Sequence, residues 1–237
     1  MDTPASAPKS ARRMVREELT RRIADTARAH LARSGPSGLS LRAVARELGM
    51  ASSAVYRYFP SRDALLTTLI MDAYNSLGEE CEAAEAGVDR SDLARRHLTI
   101  ARSTRNWALA HPHEYALIYG TPVPGYQAPP DTVDPATRVT RLLLGLIADA
   151  EASGCHPPVD PRISASTTRD MEDLMERVGT RISPGYLFVS LGLWAQLFGL
   201  ISFELFGQFN NVVEARDDFF DDQARHMARL VGITEGD

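Results

Sequence analysis

Residues 40 to 62 read Ser-Leu-Arg-Ala-Val-Ala-Arg-Glu-Leu-Gly-Met-Ala-Ser-Ser-Ala-Val-Tyr-Arg-Tyr-Phe-Pro-Ser-Arg, a run whose spacing fits contact with DNA. Leu41, Val44, Ala45 and Leu48 fall at i, i+3, i+4 and i+7 and mark one face of a helix. Gly49 follows at once, where a chain leaving a helix often needs positive φ. A second apolar stripe, Val55 with Phe59, comes next, and Pro60 stops it. Ala45 is small where two helices must cross, Gly49 makes the turn and Val55 packs back. This Ala-x3-Gly-x5-Val spacing is that of a helix-turn-helix, whose second helix lies in the DNA major groove. An αα-hairpin with no DNA role fits the same spacing, because Ala, Gly and Val are common residues.

No other constellation in the sequence is arranged for covalent chemistry. It has no Gly-rich phosphate loop, no nucleophile elbow and no metal-spaced His/Glu cluster, so neither an enzyme nor a cofactor is expected. His111, His113 and Glu114 are close in sequence, but their spacing does not project three ligands from one helical face. Cys81 and Cys155 form no C-x-x-C pair and read as buried or incidental thiols in a reducing cytoplasm. The N-terminal segment lacks the apolar core of a secretory signal.

The scaffold that must position these residues is all-α. Net charge is −5, yet residues 1–70 carry 12 basic against 6 acidic side chains, a balance of +6, and the rest carries −11. A basic N-terminal third on an acidic body implies one end that meets phosphate. Residues 1–11, rich in Pro, Ala and Ser, are expected to form a disordered tail. Residues 12–60 form the helix-turn-helix domain in this reading, and 61–237 a helical domain. Val15, Leu19, Ile23, Ala27 and Leu31 recur every four residues along a first helix at 12–33. Later helices are expected from a Ser61 cap to about residue 86, and at 91–110, 114–119, 135–153, 164–178, 185–209 and 214–231. The proline-rich stretch 120–130 should be an extended loop. Pro184 to Phe203 has no formal charge over twenty residues. Its Ser, Gln and Gly residues, and the absence of flanking Lys/Arg clusters, mark a buried helix and no membrane partner.

Over residues 12–70 the chain resembles the N-terminal DNA-binding domain of TetR-family transcriptional regulators. Leu39-Ser-Leu-Arg-Ala-Val-Ala-Arg-Glu-Leu-Gly49 and Ala54-Val-Tyr-Arg-Tyr-Phe-Pro-Ser-Arg-Asp-Ala-Leu-Leu66 carry the likeness. Trp107, His111-Pro112 and Gly120, with Glu114-Tyr-Ala-Leu-Ile-Tyr-Gly-Thr-Pro-Val-Pro-Gly-Tyr126, resemble a WHG-type C-terminal domain. The resemblance implies a cytoplasmic homodimer that binds a palindromic double-stranded operator, usually as a repressor. It also implies a small-molecule effector that shifts helix 4 and separates the two reading heads. An effector-independent regulator or activator is the alternative. Ser52, Ser53, Tyr56, Arg57 and Tyr58 then occupy recognition-helix positions. The two serines approach base edges, Arg57 reaches guanine or phosphate, and the tyrosines donate to phosphate, although one of them is expected to pack on helix 1. Ser40 and Arg42 fit phosphate contacts at the start of helix 2. Arg62 stands where the family usually has Lys. Ala51 stands where a Ser or Thr cap is common, so the cap is expected to move to Ser52. Lys9, Arg12, Arg13 and Arg16 form a basic arm.

In the C-terminal domain the resemblance calls for a ligand pocket, with apolar walls and a few orienting polar groups. Trp107, His111, Tyr115, Tyr119, Tyr126 and Trp194 are the lining candidates, because aromatic bodies with polar tips suit such a wall. The same residues at helical spacing also fit a plain core. The dimer is expected from the last two long helices. There Gly192 and Gly199 allow close approach, and Phe219, Phe220, Met227 and Leu230 offer a facing stripe.

Overall fold

Apolar residues recurring at three- and four-residue spacing make almost every long segment helical. Among residues 7–234, which the computed structural model describes, there are eleven α-helices and no strand. They divide into two compact units, neither continuous in sequence. The first takes the chain up to Tyr74 together with His113–Val133, and the second takes Asn75–Pro112 and the chain from Asp134 on. This differs from the 60/61 boundary read from the motif, because the core of the first unit draws on later residues.

In the first unit α1 (Ala7–Ser34) begins five residues before the expected start at Arg12. Pro8 sits in its first turn, where a missing N–H leaves no helical bond unmade. Residues 7–11 of the expected tail are therefore helical, and residues 1–6 lie outside the described residues. Ile23, Ala27 and Leu31 are buried, but Val15 at the helix start is exposed. They meet Leu41, Val44 and Ala45 of α2 (Leu41–Glu47), Val55 of α3 (Ser52–Val55), Phe59, and Leu65, Leu66 and Leu69 of α4 (Arg62–Ala86). Glu47 receives both His30, at 2.6 Å, and Arg33, at 2.9 Å, which clamps α1 to α2. Leu117 of α6 (Pro112–Tyr119) joins this core, and Tyr126 of the proline-rich loop packs on it. The Tyr126 hydroxyl lies 2.9 Å from Thr67 Oγ1.

The second unit is built on α5 (Leu93–Ala110), α8 (Arg138–Ala152), α9 (Ala165–Val178), α10 (Pro184–Leu205) and α11 (Arg216–Leu230), with the short α7 (Val133–Ala136) preceding α8. The segment read as one helix at 135–153 breaks at Thr137. α10 stops at Leu205, and Gly207 takes φ +83° just beyond it. Two buried arginines cross this unit. Arg96 donates to Glu85 at 2.6 Å, to Asp149 at 2.8 Å and to the Arg90 carbonyl at 3.1 Å. Arg105 holds Glu204 and Asp217, each at 2.7 Å, and lies 5.1 Å from the centre of the Phe220 ring. Phe220 and Met227 are buried in their own protomer, so the stripe expected to face a partner is reduced to the half-buried Phe219 and Leu230. α10 is long and apolar enough to cross a membrane by length and composition, and it packs on α5, α9 and α11. Phe188, Trp194 and Phe203 on it remain exposed, and the space above Gly192 and Gly199 is open.

Candidate nucleic-acid interface

Helix α2 and helix α3 cross where the spacing placed them. Ser40 caps α2, its Oγ accepting from the Ala43 N–H at 3.4 Å. Ala45 and Val55 are both fully buried at the crossing. Gly49 takes φ +64°, and the Met50 N–H reaches the Ala45 carbonyl at 2.9 Å, closing the helix end. A side chain at Gly49 would meet nothing within 4 Å, so glycine serves the backbone angle and not the space. The cap of α3 differs from expectation. Ala51 holds the cap position without a side-chain bond, and its carbonyl accepts from the Ala54 N–H at 2.8 Å. Ser52 is therefore the first helical residue, and the Ser52 and Ser53 side chains are exposed on the outer face.

The eight DNA-contact candidates fall into two groups. Arg42, Ser52, Ser53, Tyr56 and Arg57 are exposed, and the Arg42 and Arg57 guanidiniums are unengaged among the described residues. Ser40, Tyr58 and Arg62 instead spend their groups on the fold. Tyr58 is half-buried with the Arg16 guanidinium 5.5 Å from its ring centre, so it is the tyrosine that packs on helix 1. Arg62 donates to the Pro36 carbonyl at 2.8 Å and to the Leu39 carbonyl at 3.3 Å, tying the turn before α2 to the start of α4. Arg16 also donates to the Arg57 carbonyl at 3.4 Å. The basic arm is thus partly a brace for α3, which the sequence reading missed. The four-residue step from Arg12 to Arg16 on α1 was the available signal. Arg13 pairs with Glu17 at 3.5 Å, and the Lys9 side chain lies outside what is described.

Five of the six pocket candidates do not line the cavity that Trp194 borders. Trp107 is fully buried, donates to Ser76 Oγ at 3.0 Å and stacks on His111 with ring centres 5.1 Å apart. His111 ends α5, its Nδ1 lying 3.0 Å from the Trp107 carbonyl. Tyr115 and Tyr119 pack on each other at 5.1 Å and Tyr126 on Thr67, all in the first unit. Aromatic spacing alone does not separate a wall from a core. Trp194 does line a small cavity in the second unit, of about 50 Å³, between α5, α8 and α10. Leu143, Leu144, Ile147, Leu187, Leu191 and Leu197 form most of its wall, with the hydroxyls of Thr140 and Ser190. His97, which no sequence argument singled out, lines it too, and its Nδ1 is buried without a hydrogen-bond partner among the described residues.

Two stretches match family descriptions. Residues 23–69 match bacterial regulatory proteins of the tetR family, and residues 98–227 match a tetracyclin repressor-like C-terminal domain. HTH-type transcriptional regulator Rv1816 of Mycobacterium tuberculosis is 39% identical over 222 residues, spanning 93% of this chain and 95% of that protein. The chain belongs to the TetR family of transcriptional regulators. Among solved structures similar to this TetR-family chain is SCO4313, described as a regulatory protein. It is 33% identical with a TM-score of 0.73, over 91% of this chain and 97% of that one. A Rhodococcus protein of unknown function shares the fold at 23% identity and a TM-score of 0.69, over 90% and 95% of the two chains. TetR-family proteins bind operator DNA and function as dimers. The C-terminal match covers Trp107, His111-Pro112 and Gly120, the residues that carried the second resemblance.

In this TetR-family regulator His97 also leaves a signature in solution. Burial pushes its pKa from 6.5 down to about 4. A second hollow that His97 lines carries the cationic Arg225 and Arg229 and no carboxylate. Unfolded chains protonate this histidine as pH falls through 6.5, whereas the folded protein resists until about 4. Stability carried by the neutral ring is therefore complete above pH 6.5 and is lost towards pH 4, by up to about 1.4 kcal/mol per pH unit. Urea midpoints across that window are expected to fall more steeply for the wild type than for His97→Leu. Parallel slopes would contradict the assignment.

Proposed function

We propose that this regulator is a cytoplasmic homodimeric repressor that holds a palindromic operator and is released from it by a small ligand. One observation carries the DNA part. The outer face of the helix-turn-helix presents Arg42, Ser52, Ser53, Tyr56 and Arg57 to solvent, with both guanidiniums uncommitted among the described residues, while its inner face is locked by Ala45, Val55 and Phe59. A rigid reading head with free donors suits base edges and phosphates. Dimerisation through α10 and α11 is supported by the exposed Phe188, Trp194 and Phe203 and by the open glycine positions on α10. Two-fold symmetry then calls for two half-sites about one helical turn apart. The apolar cavity beside Trp194 supports the ligand part, and regulation by binding replaces catalysis in this reading.

The test is fluorescence anisotropy with duplexes tiled across the DNA upstream of the protein's own gene. One palindromic segment is expected to bind far more tightly than its scrambled counterpart. Log affinity should fall linearly with log salt, with a slope of about 0.9 per phosphate neutralised. Equal binding to every duplex at low salt, or none, would remove the repressor reading.

A further inference from the structure

We propose that Arg16 on α1 is a specificity-determining residue that acts through Arg57 and makes no contact with DNA itself. The proposal rests on the DNA reading above and deepens it by separating the residue that reads from the residue that aims it. Glu17 and Glu18 follow Arg16 directly in the sequence, yet both are engaged elsewhere. Glu17 pairs with Arg13 at 3.5 Å and Glu18 with Arg21 at 2.5 Å. The Arg16 guanidinium turns instead to the end of α3. There it donates to the Arg57 carbonyl at 3.4 Å and lies 5.5 Å from the centre of the Tyr58 ring. Among the described residues no backbone N–H reaches that carbonyl, so the bond supplies a donor that the turn itself lacks.

Left to itself, α3 cannot hold its orientation. It is a single turn of four residues, far below the length at which a helix is stable alone, and its cap at Ala51 makes no side-chain bond. Val55 and Phe59 anchor it to the core, one helical turn apart and therefore along one line. Rotation about that line would carry Arg57 sideways past a base edge, where hydrogen-bond geometry tolerates little displacement. A contact off the line stops the rotation, and Arg16 makes that contact at Arg57 itself. Phosphates are less exacting partners, because attraction between charges falls off slowly with distance. Loss of the brace therefore costs sequence discrimination and spares the non-specific part of binding.

Fluorescence anisotropy on the full-length protein, with the preferred duplex of the tiled set and its scrambled counterpart, provides the test. Wild type, Arg16→Gln, Arg57→Ala and the double variant are compared. Arg16→Gln is expected to lower the ratio of the two affinities about three- to tenfold, with scrambled binding and the salt slope nearly unchanged. In the Arg57→Ala background the same substitution should lower the ratio no further, because the group it aims is gone. Arg16 is exposed, so the urea midpoint should stay at the wild-type value. Equal weakening on both duplexes, with a salt slope lower by about 1, would make Arg16 a phosphate contact and overturn the proposal. An undiminished loss in the Arg57→Ala background, an unchanged ratio in Arg16→Gln, or a loss of discrimination that tracks a lowered urea midpoint would overturn it too. All of these leave the DNA reading intact. Failure of that reading looks different, since the wild type itself then prefers no duplex over its scrambled counterpart, and both ideas fall together.

Discussion

Replacing Arg96 with alanine is expected to cost about 3–5 kcal/mol of unfolding free energy, a large share of what a typical domain possesses. Arg96 is 1% exposed, and its guanidinium reaches Glu85, Asp149 and a backbone carbonyl at once. Removing it has unequal consequences for the two carboxylates. Asp149 is 38% exposed at its side chain and keeps Arg90 at 2.5 Å, so it stays paired and hydrated. Glu85 is only 7% exposed there and keeps just Arg90 nearby, 3.6 Å away and mostly in solvent. The penalty therefore lies in stranding the Glu85 charge and not in the loss of an attraction. Arg96→Met combined with Glu85→Gln should be less damaging than Arg96→Ala alone, since no buried charge is left behind. Urea denaturation of the three proteins checks this. A single-variant loss below about 1 kcal/mol would mean that the pair is not buried in solution.

Arg57→Ala is expected to weaken operator binding by about 1–3 kcal/mol, roughly 5- to 150-fold, and to leave binding to scrambled DNA nearly unchanged. Arg57 is exposed beyond the locked Val55 and Phe59, and its backbone carbonyl is held by Arg16, so the side chain starts from a fixed point. Its guanidinium has no competing partner among the described residues, unlike that of Arg62. Arg42→Ala should behave differently. Placed on the first turn of α2, Arg42 fits a phosphate, so its loss should weaken both duplexes alike and reduce the salt slope by about 1. Equal losses on both duplexes for Arg57→Ala would make Arg57 a phosphate contact instead. Arg62→Ala would mix a DNA effect with damage to the turn it ties, so it is the poorer probe.

The reading head was legible in the sequence because its determinants are local. Ala45, Gly49 and Val55 lie within eleven residues, and each serves a steric requirement that few residue types meet. The error at the first helix came from composition. Pro8 and its alanines look like a tail, yet the first turn of a helix is where proline is tolerated. The cavity beside Trp194 was less legible, because side chains from three helices far apart in sequence line it. His97 sits in Arg95-Arg96-His97-Leu98, which reads as a solvated face when charge is taken to mean exposure. Helical spacing carried a better signal. Arg96, Ile100, Ala101, Thr104, Trp107 and Ala108 recur at three- and four-residue intervals and share the buried face. Polar residues on an apolar stripe mark either an internal ion pair or an unpaired group, and α5 holds both kinds: Arg96 and Arg105 are paired, and His97 Nδ1 has no partner among the described residues.

The path of the chain limits what can be cut from it. The first unit closes its core with Leu117 and packs Tyr126 against it, and both arrive only after the chain has passed through Asn75–Pro112. A fragment ending at residue 60, or even at Tyr74, leaves that apolar surface bare and forfeits the bond between Thr67 and Tyr126. The DNA-binding unit of this regulator is therefore not a single continuous stretch of sequence. Recombination that shuffles such heads between relatives at a single crossover would sever one half of the core from the other, and a working hybrid has to carry both segments together.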